Sequence, residues 1–424
     1  MATSDQVASI PQASRPSALA PLREPLFRSL WIAAVISYTG TWMQNVGAGW
    51  LMTQLNPSPF LVGMVLAAAT LPVFLVMLPA GAIADMMDRR RLLLFTQWWM
   101  VLASGSLGLM TLTHCIHPRT LLLFTFLLGL GAVMNDPAWQ AITPEVVSRE
   151  NHAAAVALNS AGFNVARAIG PALGGIVIAV AGSGSAFLLN ALSFFGVIIF
   201  LYRWKRPPAP REDSSRISPR ILESILEGFR YVRQSTIVKS VLVRTVVFSL
   251  AATAIWALMP LLAQPFGSTG FGVLVGCFGV GALAGAVVLP RLRPRLPLDG
   301  LIAGAITILA AVTFVSGHVH QLTELCLVMS IGGAAWIGIL ASLNYAAQTM
   351  APSWVRARSL SMYLLVFQGG MAVGSTIWGA VAERIGVPNA LACAALALIA
   401  GLGTIPRHRL TFHELELAPA VVRD

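Results

Sequence analysis

The sequence predicts an all-α integral membrane protein, with twelve transmembrane helices in two six-helix pseudo-repeats. Three observations carry this. Of 424 residues 56% are hydrophobic and only 11% charged, where a soluble domain carries about 25% charged. The apolar residues gather in runs, and a bilayer crossing needs about 20 of them in a row. Signals in the first six runs recur in the second six. The mean hydropathy of +0.75 agrees.

The runs give spans near residues 29–54, 60–84, 92–113, 120–141, 153–181 and 186–202. After a polar stretch come 241–263, 270–290, 300–316, 323–350, 359–382 and 387–405. The expected organisation is a tail 1–28, a six-span half 29–202, a linker 203–240, a second half 241–405 and a tail 406–424. The first tail is polar, with Pro11, Pro16 and Pro21. It lacks the apolar core and cleavage site of a secretory signal. In the linker, Ile221, Ile225, Leu226, Phe229 and Val232 recur at helical spacing. That pattern predicts an amphipathic helix on the membrane surface.

Charge sets the orientation. The tails, the linker and every second connection hold 24 of the 28 basic residues, against two, Arg119 and Arg384, in the alternate connections. Arg167 and Arg244 fall inside spans. The positive-inside rule then puts both tails and the linker in the cytosol. This distribution also accounts for the net charge of +11 without nucleic acid as a partner. Cys115, Cys277, Cys326 and Cys393 show no metal spacing and no disulfide framework. His114 and His117, with His318 and His320, read as loop histidines at a wet interface, and no metal site is expected. No nucleophile with its base, nucleotide loop or redox motif is present, so an enzyme is not expected.

The repeat is visible in two places. Gln140-x-x-x-Pro144-x-x-Val147 follows the fourth span, and Gln348-x-x-x-Pro352-x-x-Val355 follows the tenth. Gly170 and Gly175 in the fifth span are spaced like Gly374 and Gly379 in the eleventh. Two halves joined by a linker are a transporter architecture, with substrate bound near the midplane.

The stretch "GAIADMMDRRR" after the second span resembles the loop motif of the major facilitator superfamily. Gly81, Asp85, Arg89 and Arg90 match it, while Met86 replaces a basic residue and Asp88 a glycine. "GFNVARAIGPALGG" resembles the fifth-span motif of exporters in that superfamily, through Gly170, Pro171, Gly174 and Gly175. Together with "NDPAWQAITPEVV" and "PSWVRARSLSMYL", these stretches are similar to the branch of transmembrane secretion effectors that includes the enterobactin exporter. The resemblance covers residues 22–405 and implies a major facilitator fold. It also implies export of a small molecule by alternating access, driven by a proton gradient with no cofactor. A lipid flippase or an importer on the same fold is the alternative. A monomer in the bacterial cytoplasmic membrane, in contact with its lipids, is expected.

Individual residues sharpen this. Arg167 lies too deep to reach either surface, so it faces protein or water and marks a functional site. Asn164 shares its face. Trp42, Gln44 and Asn45 in the first span, Trp256 in the seventh, Asn344 and Tyr345 in the tenth and Gln368 in the eleventh are candidate cavity residues. Trp378 in the eleventh span belongs with them. Each of those in the seventh, tenth and eleventh spans suits packing as well as ligand, and Gln348, part of the repeat, reads as structural. Asp136 and Glu324 are candidate proton-coupling carboxylates, although Glu324 also suits the first turn of a helix. Gly170, Pro171, Gly174 and Gly175 serve close packing or a hinge. Asp88 is expected to cap the third span. Arg89, Arg90 and Arg91 are expected to fix topology and meet anionic lipid heads. Asp85 is expected to reach the start of the eleventh span near Ser359, Arg356 and Arg358, as a latch.

Overall fold

The computed structural model describes residues 19–204, 235–349 and 356–410, which are helical throughout apart from short turns. A turn of 3-10 helix, Ala20–Arg23, leads into α1 (Pro25–Leu55), α2 (Pro59–Met86), α3 (Arg89–Leu112), α4 (Pro118–Val146) and α5 (His152–Arg203). Then come α6 (Thr236–Leu262), α7 (Gly267–Leu292), α8 (Leu298–Ser316), α9 (Leu322–Thr349), α10 (Arg356–Ile385) and α11 (Val387–Gly401). Nine stretches of the described residues are long and apolar enough to cross a membrane. Two of them, Arg149–Arg203 and Val238–Leu292, run 55 residues each, about twice one crossing. The amphipathic helix expected in the linker lies outside the described residues.

Local chemistry sets the helix starts. Asp88 caps α3 as expected, its carboxylate accepting from the Arg91 N–H at 3.0 Å. Ser58 and Ser235 cap α2 and α6. Prolines open α1, α2 and α4, where a missing N–H costs nothing. Inside the helices Pro72, Pro79, Pro137, Pro144, Pro171, Pro260 and Pro290 are tolerated, as neighbouring helices in a membrane bundle allow.

The sequence predicts a loop, "AGSGS", between the fifth and sixth spans. The structure instead runs α5 through it, and only Gly182 leaves helical geometry, with φ 78°. Glycine tolerates that angle without strain. The two arms of α5 run in opposite directions along α1. Before the break Gly162, Gly170 and Gly174 meet Trp31 and Val35, then Thr39 and Trp42, then Met43. After it, Phe187 meets Gly47 and Asn190 meets Gly40. The chain therefore reverses at Gly182.

Helices α1–α5 pack together as one bundle and α6–α11 as another. The bundles meet along two antiparallel pairs, α2 with α10 and α5 with α7. These pairings put the starts of α1, α3, α5, α6, α8 and α10 at one end, here the tail side. At the opposite far side, α1 meets the other bundle, Gly49 lying against Pro260 and Phe271. Gly63 approaches Ser375 and Gly379, and Gly175 approaches Ser268 and Gly272, so closely that no side chain fits between. At the tail side, among the described residues, α4 forms no packed seam with α9 or α10. Among the described residues the bundles are thus joined at the far side, and α4 leaves a gap toward α9 and α10 at the tail side.

Tail-side ends are tied within each bundle. Glu24 accepts from the Asn151 amide at 2.8 Å, the Ser148 hydroxyl at 2.9 Å and the Ser148 N–H at 3.1 Å. The Asn151 bond leads in holding its carboxyl below the usual range, against the opposing pull of desolvation. Arg244, a span arginine that is 4% exposed, bonds Asp299 at 2.7 Å. Asp299 also accepts the Leu410 N–H at 3.2 Å, anchoring the end of the described chain.

Candidate functional site

Two exposed faces on the first arm of α5 locate the site. Val165, Ile169, Ile176 and Val180 are all exposed and all aliphatic. At 100° per residue they share one face, and its chemistry suits lipid. On the opposite face lie Ser160 and Phe163, exposed, with Asn164 and Arg167 half-buried beside them. A face that carries a charge, an amide and a hydroxyl needs water. On α4, Asp136, Gln140 and Pro144 are exposed at four-residue spacing. On α1, Tyr38, Trp42 and Asn45 form a matching stripe. Together these stripes wall a crevice that opens to the tail side.

The wall is aromatic and charged. The Tyr38 ring lies edge-on to Phe163 at 5.4 Å and to Trp139 at 6.4 Å, and Trp42 lies edge-on to Phe163 at 6.4 Å. The depth of Asp136 relative to Arg167 follows from one bond. The Asn159 amide donates to Thr143 at 3.2 Å, tying α5 to α4. Seven residues farther up, about 10 Å at the helical rise, α4 reaches Asp136 and α5 reaches Ala166. Asp136 and Arg167 therefore stand nearly level. Among the described residues, neither has a hydrogen bond or an ion pair. Two opposite charges at mid-depth, facing one crevice and not bonded to each other, leave room for a third party. Asn164 uses its amide N–H on the Ser160 carbonyl at 2.8 Å.

Several sequence-predicted residues lie elsewhere. Gln44 is 6% exposed, and its carbonyl accepts from Ser104 and Asn190, both at 2.6 Å. It holds α1, α3 and α5 together and is not a cavity residue. Gln44→Leu is expected to lower stability by about 1–3 kcal/mol, the cost of orphaned buried polar groups. Thermal unfolding in detergent checks this, with export by the surviving protein nearly unchanged. Trp256 packs in an aromatic cluster, edge-on to Phe278 at 4.7 Å and Trp336 at 5.9 Å. Trp378 is buried, donating to the Leu250 carbonyl at 2.7 Å. Tyr345 lies under the Arg293 guanidinium at 4.6 Å, and Asn344 bonds Gln348. Both are occupied by protein partners. Gln368 and Asn45 carry no bond among the described residues. Glu324 is exposed in the first turn of α9, without a partner there, and stands clear of the crevice. The first-turn reading is the one that fits.

The tail-side motif divides its work differently from expectation. Arg89 pairs with Glu145 at 3.0 Å and donates to the Ala141 carbonyl at 3.2 Å, tying α3 to α4. Arg90 donates to the Leu201 carbonyl at 2.7 Å and the Tyr202 carbonyl at 3.3 Å, at the negative end of α5. These two stitch one bundle together; only Arg91 is exposed without such a contact. Around Gly81 an added Cβ would meet nothing within 4 Å. The side chains of Asp85, Arg356 and Arg358, and so the expected latch, lie outside the described residues.

Sequence reasoning missed Tyr38, Phe163, Glu145 and Glu383, and read Gln140 only as part of the repeat. Tyr38 had a signal: it precedes Trp42 by one helical turn. The others became legible only once α4, α5 and α10 had neighbours. Among the described residues, no group of His, Cys, Asp and Glu could hold a metal ion.

A membrane-crossing helical bundle, closed at one end around a charged mid-depth crevice, defines a transporter rather than an enzyme. The chain belongs to the transmembrane secretion effector family of the major facilitator superfamily, whose family model matches residues 16–421. It is 26% identical over 415 residues to the multidrug efflux pump Tap of Mycolicibacterium fortuitum, covering 93% of this chain and 98% of that pump. It is 26% identical over 399 residues to the enterobactin exporter EntS of Citrobacter koseri, covering 90% and 89%. In fold it is similar to an inward-facing, occupied bacterial homolog of the lysosomal transporter Spinster, with a TM-score of 0.72 at 14% identity, over 94% of this chain and 99% of that one.

Proposed function

We propose that this protein exports a small amphipathic molecule, a drug, siderophore or similar metabolite, from the cytosol. It works by alternating access across the bacterial inner membrane, in exchange for protons. The observation that carries the reading is the level, unpaired couple of Asp136 and Arg167 in a crevice open at one end. Arg167 and Asn164 hold the polar part of the substrate, while Tyr38, Trp42 and Phe163 hold its apolar body. Asp136 takes up and gives off the coupling proton as its exposure alternates. The proton gradient is the energy source, and no cofactor takes part. The efflux and siderophore-export activities named for the relatives point the same way.

The proposed frame is twelve spans in two repeats, with α5 supplying two. The paired glycines support it. Gly170 seats against Thr39 and Trp42 of α1, and Gly374 against Leu250 of α6, each the first helix of its own half. Gly175 seats on α7 and Gly379 on α2, each the second helix of the other half. With the tail side in the cytosol, as its arginines favour, this conformation is inward-facing. The protein acts as a monomer, with Arg91 against anionic lipid heads.

Everted membrane vesicles carrying the protein test this. Under an imposed pH gradient they are expected to accumulate members of a panel of siderophores and amphipathic dyes. Accumulation that survives collapse of the gradient contradicts proton exchange, and accumulation of no compound contradicts export.

A further inference from the structure

At the far end of α10, Glu383 reaches into the other bundle. Its carboxylate accepts from the Ser58 hydroxyl at 2.6 Å and from the Phe60 N–H at 3.0 Å. These residues lie 325 and 323 positions away in the chain. Ser58 is itself the N-cap of α2, accepting from the Leu61 N–H. The first turn of α2 is therefore capped twice, once from within and once across the seam. A carboxylate at a helix N-terminus meets both free N–H groups and the positive end of the helix dipole. It is a charged contact between the bundles. Below it the backbones touch. A Cβ on Gly63 would come within 2.5 Å of the Ser375 carbonyl, and one on Gly379 within 2.8 Å of the Pro59 carbonyl. The cap needs that approach, so it exists only while the far side is shut.

We propose that Glu383 is the latch of the far-side gate, and that a proton arriving from that side releases it. The ionised carboxylate accepts both donors. Protonation removes the charge and makes one oxygen a donor, which weakens the cap on α2. The titratable groups around it are few: His318 and His320 follow Gly317, which packs on Pro388 just beyond Glu383. Arg384 is its exposed neighbour on α10. α2 has no titratable residue ahead of Asp85 at its other end, and α6 has none beyond Arg244. α11 has only Cys393, and α9 has Glu324 and Cys326 in its first turns and Tyr345 near its tail end. This inference rests on the alternating-access reading but needs no substrate, so the two fail separately.

The test is the distance between spin labels on Thr113 and Gln321, exposed at the far side of either bundle. The protein is reconstituted in lipid with its four cysteines replaced. At neutral pH the short distance is expected to dominate, with acid lengthening it. Glu383→Gln is expected to shift the closed-to-open ratio by roughly tenfold, the effect of one lost cap, and to abolish the acid response. Ser58→Ala shifts it the same way by less. Glu324→Gln, a far-side acid outside the seam, changes nothing. An unchanged distribution in Glu383→Gln overturns the latch, as does an equal shift in Glu324→Gln. An acid response that persists in Glu383→Gln overturns the proton release.

Discussion

Arg167→Gln cuts export by about ten- to a hundredfold while the amount of protein in the membrane stays the same. The size follows from the bond that is lost. A hydrogen bond to a charged group contributes roughly 1.5–3 kcal/mol, and each 1.36 kcal/mol is a factor of ten. Stability is spared because, among the described residues, the guanidinium supports no other side chain. The contrast with the other span arginine is informative. Arg244 is buried against the half-buried Asp299, so Arg244→Gln takes the cation from that carboxylate and lowers protein level before it touches transport. Asp136→Asn completes the case. It is expected to leave substrate binding measurable but to remove the dependence of transport on the pH gradient. Initial export rates with and without a gradient, normalised to protein in the membrane, read all three variants.

The second large effect concerns closure of the far side. Gly272→Val is expected to reduce export to background, and Gly63→Val likewise. A Cβ on Gly272 would fall 2.5 Å from the Pro171 carbonyl, and one on Gly63 equally close to the Ser375 carbonyl. Both obstacles are backbone on the opposing helix, which cannot swing aside as a flexible side chain could. The far ends must then stay apart, and a transporter that cannot shut one gate cannot cycle. Gly304→Val is the control, since nothing lies within 4 Å of the added atom there, and it should export normally. The same spin-label pair on Thr113 and Gln321 should report long distances in the two seam variants only.

Most of the fold was legible because lipid imposes a simple rule on sequence. Each crossing needs its run of apolar residues, and each connection carries its charges openly. The exceptions are local. Gly182 reverses the chain with one residue where composition suggested a five-residue loop. Pro144 sits inside α4, which continues to Val146, because membrane helices absorb proline. The site was legible in part. Arg167 and Asp136 announced themselves as charges in grease, and their burial depth could be counted along the helix. Gln44 gave the same signal and meant something else. An amide at mid-depth bonds either substrate or neighbouring helices, and the choice depends on whether Ser104 and Asn190 are within reach. Glu383 was invisible for the same reason. Its partners on α2 are more than three hundred residues away, and only packing reveals them.

The central claim is that a water-filled crevice, walled by Asp136, Gln140, Ser160 and Arg167, opens to the cytosol while the far side is closed. Single cysteines at Gln140, Ser160 and Val165, in a background without native thiols, test it most directly. A membrane-impermeant maleimide should label Gln140→Cys and Ser160→Cys rapidly in everted vesicles and slowly in intact cells. Val165→Cys, on the aliphatic face of the same helix, should stay unlabelled in both. Equal labelling at Val165 and Ser160, or faster labelling of Ser160→Cys from outside, would contradict the account.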